Sequence, residues 1–130
     1  MSGATDGAAP CRALLEGIAA RDPEAIAGCF APGALLRALT PRQLREVSGR
    51  EAIAQRYLAW LGSLDDFELL AGDTERVADR IRVRYRFRGT DPVKGPQENE
   101  HTAYAAVEGG HIVALDLTCA GFRPAGAPPS

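Results

Sequence analysis

The sequence has little that would tie it to a membrane, a metal or a nucleic acid. No apolar run in its 130 residues approaches the roughly twenty needed to cross a bilayer. The opening MSGATDGAAP has neither a basic leader nor an apolar core segment, so a soluble, cytoplasmic protein is expected. Cys11, Cys29 and Cys119 are odd in number and far apart, with no CxxC and no His at zinc spacing, which argues against a disulfide framework and a structural zinc. No His/Asp/Glu cluster has ligand spacing and no Gly-rich phosphate loop occurs, so neither a metal nor an organic cofactor is expected. Basic excess is missing too: 15 Lys+Arg stand against 17 Asp+Glu, for a net charge of −2. A nucleic-acid-binding domain normally shows its basic excess in the whole-chain balance, so neither nucleic acid nor membrane is an expected partner.

What remains is 45% hydrophobic, enough for one domain that buries roughly two-thirds of its unfolded surface. The ends, residues 1–9 and 124–130, are small and Gly/Pro-rich and are expected to be flexible tails around a single domain spanning 10–123. PCRALLEGIAAR predicts a helix with Cys11, Leu14, Leu15, Ile18 and Ala19 on one face. Asp22-Pro23 opens a second helix, because Asp is a good N-cap and Pro suits the first helical turn; Pro32-Gly33 is expected to end it. ALLRAL, 34–39, is short enough for a strand, and TPRQLRE predicts one helical turn. Ser48-Gly49-Arg50-Glu51 has the form of a capping box before a third helix, whose apolar stripe is Ile53, Tyr57, Trp60, Leu61 and Leu64.

After residue 66 the pattern changes to strands: FELLAGDTERVA, then IRVRYRFRG, NEHTAYAAVE and HIVALDLTCAGF. Gly109-Gly110 joins the last two as a two-residue hairpin loop. In IRVRYRFRG, Arg82, Arg84, Arg86 and Arg88 alternate with Ile81, Val83, Tyr85 and Phe87, so the strand has one cationic and one apolar face. With no net basic charge, this arginine comb is expected to be an outer face balanced by Asp73, Glu75, Asp79, Glu98, Glu100 and Asp116. The predicted class is α+β: a curved, mostly antiparallel sheet wrapped over N-terminal helices.

The opening RALLEGIAARDPEAIAGCFAPGALL, the segment SGREAIAQRY and the hairpin EGGHIVALDL resemble the nuclear transport factor 2-like superfamily, in its SnoaL-like and ketosteroid-isomerase-like branch. The resemblance covers nearly all of residues 10 to 122. It implies a cone-shaped α+β roll whose mouth admits an apolar small molecule, and a homodimer formed through the outer sheet face. Such cones serve isomerases, cyclases, epoxide hydrolases and plain binders, so the residues must decide the chemistry. Matching to the steroid isomerases puts Leu14 at the oxyanion tyrosine, Ala38 at the base and Thr102 at the oxyanion acid, and all three chemical groups are missing. Matching to the SnoaL-type cyclases puts Leu117 at the catalytic acid; a one-residue bulge would instead bring Asp116 inward.

If Glu108 faces His111, paired residue numbers run regularly down the hairpin, placing Thr102 opposite Leu117 and Glu100 opposite Cys119. Leu115, Leu117 and Cys119 then share the inner face with Glu100, Thr102 and Tyr104, while His101, Ala103 and Asp116 face outward. Asp116 would pair with Arg82 or Arg84. A carboxyl in an apolar cone is desolvated and its pKa raised toward the range useful for proton transfer, so Glu100 is the expected acid/base, with Asp116 as the second candidate. Leu14, Arg56, Tyr57, Trp60, Tyr85, Thr102, Leu117 and Cys119 are the expected ligand-binding set, Arg56 being able to hold an oxyanion. The expected function is a cofactor-independent isomerase, cyclase or hydrolase acting on an apolar metabolite; the alternative is a non-catalytic dimeric binding protein.

Overall fold

The computed structural model describes residues 8–125. Helices α1 (Ala9–Ala20), α2 (Pro23–Gly28) and α3 (Arg50–Leu61) accompany strands β1 (Phe30–Thr40), β2 (Gln43–Ser48), β3 (Asp65–Val77), β4 (Arg80–Asp91), β5 (Gly95–Glu108), β6 (His111–Cys119) and β7 (Arg123–Pro124). Most of the two expected tails lies outside the described residues. Within them, Ala9 already starts α1, and β7 pairs Arg123 with Glu98 and Pro124 with Gln97.

The helical layer follows from local chemistry. Cys11, Leu14 and Ile18 bury one stripe of α1. Asp22 accepts from the backbone N–H groups of Glu24 and Ala25, and Pro23 takes the first helical position, as its sequence dictates. A Cβ on Gly17 would sit 3.1 Å from Ile26 Cγ1, so α1 and α2 can approach this closely only because residue 17 has no side chain. At the end of α1 the Arg21 guanidinium donates to the carbonyls of Leu61 (3.0 Å) and Leu64 (2.7 Å) and covers the Phe67 ring at 5.0 Å. That arginine ties the first helix to the end of the third.

Three local expectations change. The helical turn predicted over 40–46 is instead the turn at 41–42 followed by β2, held in hairpin with β1 from Thr40↔Gln43 to Leu35↔Ser48; the Thr40 hydroxyl closes the turn on the Gln43 carbonyl at 2.9 Å. Pro32-Gly33 does not end α2, which stops at Gly28; both residues lie in β1, where its pairing with β6 shifts between Phe30 and Leu35. The capping box does not form, because Ser48 is held in β2 and Gly49, at φ 93°, is the N-cap with no side-chain bond.

The sheet order is β2-β1-β6-β5-β4-β3, with β7 beside β5. Every pairing is antiparallel except β1 with β6. The concave side carries Leu36, Ala38, Ile81, Val83, Tyr85, Phe87, Ala103, Ala105, Leu115 and Leu117, all buried under the helices. The arginine comb faces out and is charge-balanced: Arg82 pairs with Glu75, Arg84 with Asp73 at 3.6 Å and Arg88 with Glu68 at 3.3 Å, and Arg86 lies opposite Glu100. Asp73 and Glu75 play their expected part and Glu68 joins them. Asp116 binds Arg80 at 3.0 Å rather than Arg82 or Arg84, because Arg82 and Arg84 are already engaged on β3. The Arg80 and Asp116 side chains are 43% and 45% exposed. An ion pair that wet contributes on the order of 1 kcal/mol or less. Thermal unfolding of Asp116→Asn should therefore show a loss within about 1 kcal/mol; a larger one would mean that this face is covered in solution.

Candidate functional site

The hairpin between β5 and β6 decides what the cone contains. Gly109 and Gly110 form its loop with φ of 60° and 82°, a conformation glycine adopts without steric cost. Glu108↔His111 and Val107↔Ile112 then pair regularly, but the next pair is Ala106↔Ala114, leaving Val113 as an extra residue on β6. From there Ala103 faces Leu117 and His101 faces Cys119. A bulge of one residue exchanges the two faces of the shifted strand. Leu115 and Leu117 point inward as the alternation predicts, but β5 is turned over.

Glu100 is exposed on the outer face opposite Arg86, so it is not the desolvated carboxyl of the interior. Thr102 and Tyr104 share that outer face, opposite Arg84 and Arg82. His101 and Ala103, expected outside, are buried. Asp116 stays outside with Arg80; the bulge that could have brought it inward turns β5 instead. In place of Glu100, β5 presents Gln97, Asn99 and His101 to the interior, and all three are buried.

These side chains complete a polar thread through apolar packing. Tyr85 Oη lies 2.7 Å from His101 Nδ1 and 3.2 Å from Tyr57 Oη. Asn99 Nδ2 donates to Cys119 Sγ at 3.2 Å, while its Oδ1 accepts the Glu100 N–H. Rings of Phe87 and Trp60 meet the imidazole edge-on at 5.2 and 5.7 Å, and Trp60 also meets Tyr57 at 5.4 Å. Leu14 and Leu117 are buried in the same core, with Cys119 half-buried beside it. Tyr57, Tyr85, Trp60, Leu14, Leu117 and Cys119 are thus brought together inside, whereas Glu100, Asp116 and Thr102 are not. Arg56 is half-buried on α3 with its Nε sealed from solvent and unpartnered.

Burial sets the protonation states. It lowers the His101 pKa to about 4, so the ring is neutral at physiological pH, and it raises both tyrosines well above their usual range. The Cys11 and Cys29 thiols are likewise pushed up to about 11 by burial, which leaves them protonated and unreactive. Tyr85 has one proton for two neighbours. When it donates to Tyr57, His101 Nδ1–H donates to Tyr85 and Nε2 keeps a lone pair; the reverse order, Tyr57 to Tyr85 to Nδ1, puts the proton on Nε2. No described residue bonds Nε2. The site can thus offer a ligand one base or one donor.

Open space adjoins this thread at the cone's mouth. A cleft of about 80 Å³ is lined by Trp60, Ser63, Leu64, Asp91, Lys94, Gln97 and Phe122, and Phe122 also stacks edge-on against Phe87 at 5.9 Å. At roughly 30 Å³ per liquid water molecule this holds only a few waters, so a larger guest has to displace Phe122. A groove of about 560 Å³ between α2 and α3, lined among others by Pro23, Glu24, Arg50 and Glu51, lies outside the cone and touches none of the thread. Among the described residues no group of His, Cys, Asp and Glu could hold a metal ion, and no helix is long and apolar enough to cross a membrane.

The sequence profile of the SnoaL-like domain matches residues 11–115. No curated protein matches the chain. Solved structures share its fold at low identity. A protein assigned as a polyketide cyclase from Xanthomonas campestris pv. campestris superposes with a TM-score of 0.69 at 15% identity, covering 86% of this chain and 88% of its own. One assigned as a ketosteroid isomerase from Kribbella flavida gives 0.66 at 15%, over 95% and 82%. A hypothetical protein of ketosteroid-isomerase-like fold from Catenulispora acidiphila, in complex with trimethylamine, gives 0.68 at 14%, over 84% and 83%.

The neutral imidazole has a measurable signature. Between the ordinary His value near 6.5 and the native value of about 4, the unfolded chain binds a proton that the folded chain refuses. Stability should therefore fall as pH drops through that window, by about 3 kcal/mol in all. Denaturation of the wild type and His101→Gln from pH 7 to 4 isolates this contribution from the carboxylates; equal slopes for the two proteins would contradict it.

Proposed function

Because the chain belongs to the SnoaL-like domain family, within the nuclear transport factor 2-like cones, we propose that it takes an apolar small molecule through the mouth beside Phe122 and holds it against the Tyr57–Tyr85–His101 thread. The observation that carries this reading is the buried imidazole, tied by Nδ1 to Tyr85, with its Nε2 unbonded by any described residue. His101, in the place expected of Glu100, is the acid–base group of a cofactor-independent isomerisation, cyclisation or hydrolysis. Tyr85 fixes its tautomer and Tyr57 fixes Tyr85, the logic by which a third group orients a catalytic base. Trp60, Leu117 and Cys119 supply the walls.

A second reading, a non-catalytic binding protein using the same cone, is favoured by one specific fact: with Glu100 and Asp116 outside, the cone interior has no carboxylate among the described residues. The two readings part on a proton-transfer probe. Deuterium exchange at the acidic methylene of 2-tetralone, followed by proton NMR in heavy water, should be accelerated by the wild type. His101→Gln should lose that acceleration by roughly 100-fold while still binding the ketone. Binding without exchange in the wild type would leave the non-catalytic reading standing.

We also propose that the protein is a homodimer paired through the outer sheet face. Leu39 and Leu44 are 52% and 53% exposed and Tyr104 38%, and all three line one shallow depression of about 330 Å³ with Arg37, Asp116 and Thr118. The charges there are already internally paired, Arg37 with Glu46 and Asp116 with Arg80, so an apolar contact between copies leaves no charge stranded. Pairing of Arg82, Arg84 and Arg88 with acids of β3 likewise leaves nucleic acid no continuous cationic strip. Light scattering at micromolar concentration should give a dimer for the wild type and a monomer for Leu44→Glu; a wild-type monomer would remove the interface.

A further inference from the structure

Six arginines are half-buried: Arg21, Arg45, Arg50, Arg56, Arg80 and Arg82. Four of them have a partner in the fold, Arg21 two carbonyls, Arg50 Glu51, Arg80 Asp116 and Arg82 Glu75, although the Arg82 Nε is itself sealed without one. Arg45 and Arg56 have neither a hydrogen bond nor an ion pair among the described residues, and the Nε of each is sealed from solvent without a partner. Buried donors are almost always paired, and a half-buried guanidinium with nothing opposite it is costly to keep.

Register and helical position put both on the inner side of their elements. Arg45 is paired with Ala38 on β1, which in turn is paired with Leu117 on β6, and Ala38 and Leu117 are buried on the concave side. Alternation along β2 therefore points Arg45 and Val47 inward, while Glu46 points out to Arg37. On α3, Arg56 stands one turn before Trp60 on the same flank, and Trp60 reaches over the inner face to His101. Glu51, an acid of the same helix, is engaged by Arg50. Arg45 thus stands on the inner side of β2 and Arg56 on the Trp60 flank of α3, with no acid of either element free to neutralise them.

We propose that Arg45 and Arg56 together bind the carboxylate of the ligand, which makes the substrate class an apolar acid whose body runs along Leu117 and Trp60 toward His101. A carboxylate accepts charge-assisted bonds from both guanidinium groups and supplies the acceptors that the buried Nε atoms lack. Small Ala38 and Ala103, buried at the same level of the sheet, leave the inner wall low beside Leu117. This inference rests on the cone being a ligand site, and its test separates the two ideas.

Decanoate and its neutral isostere decanamide are titrated against the full chain by calorimetry, and by the fluorescence of Trp60, the one tryptophan present. The wild type should bind decanoate about ten-fold or more tighter than decanamide at neutral pH. Arg45→Met and Arg56→Met should each bring decanoate down toward the amide while leaving amide affinity within about two-fold of wild type, and that retained amide binding shows the variants to be folded. Arg86→Met, on the outer face, should change neither. Equal affinity for acid and amide in the wild type would overturn the carboxylate site and leave the cone's role as a pocket intact. Failure of both probes to bind would overturn the pocket itself, and this inference with it.

Discussion

Val113 is one residue more than a regular hairpin can accommodate, and the content of the interior depends on where that residue is put. With β6 anchored by Leu115 and Leu117 in the core, the mismatch can only be absorbed by turning β5 over. Gln97, Asn99 and His101 then enter the cone, and Glu98 and Glu100 join the face that carries the arginines. Had the pairing run on regularly, a carboxylate would sit in the apolar centre and an imidazole among guanidinium groups. Each placement is the worse one electrostatically, since an unpaired buried charge is far more expensive than a buried neutral ring with a partner.

That also explains which parts of the fold could be read from the residues. Asp22-Pro23, Gly109-Gly110 and the alternation of Arg82 to Arg88 each specify a backbone state through their own chemistry, and each is found as expected. The bulge has no such mark. On one side it is flanked by Ala105, Ala106 and Val107 and on the other by Ile112, Val113 and Ala114, apolar on both parities, so no polar residue reports where the register slips. Residues anchored by helices or by β4 and β6, such as Tyr57, Trp60, Tyr85 and Leu117, therefore point to the side that their periodicity indicates. Those on β5 were inverted as a set. The strand β2 was hidden for another reason: Leu44 and Val47 stand three apart, a helical spacing, and only the β1 edge holds the segment extended.

The interior thread is polar but carries no charge at neutral pH. His101 is neutral because protonation would place a cation beside Phe87 and Trp60, and the tyrosines keep their protons because phenolates would be stranded there. Such a chain is held by mutual satisfaction of its members, which positions Nε2 of His101 without any ion pair. The surface follows the opposite rule, with wet carboxylates and guanidinium groups cancelling along β3 and β4.

The strand β6 lies at the middle of the sheet, although it is the last long strand of the domain in chain order. Its parallel partner β1 belongs to the helical half and its antiparallel partner β5 to the β3–β4–β5 meander. The strands of one half pair with those of the other only through β6, although α1 packs directly on β3 and β4. During synthesis the two halves therefore wait, each with an unpaired strand edge, until the segment around Leu115 has left the ribosome. Contacts this remote in sequence form slowly, and open edges invite mispairing in the interval. The domain should depend on chaperone protection late in its synthesis rather than early.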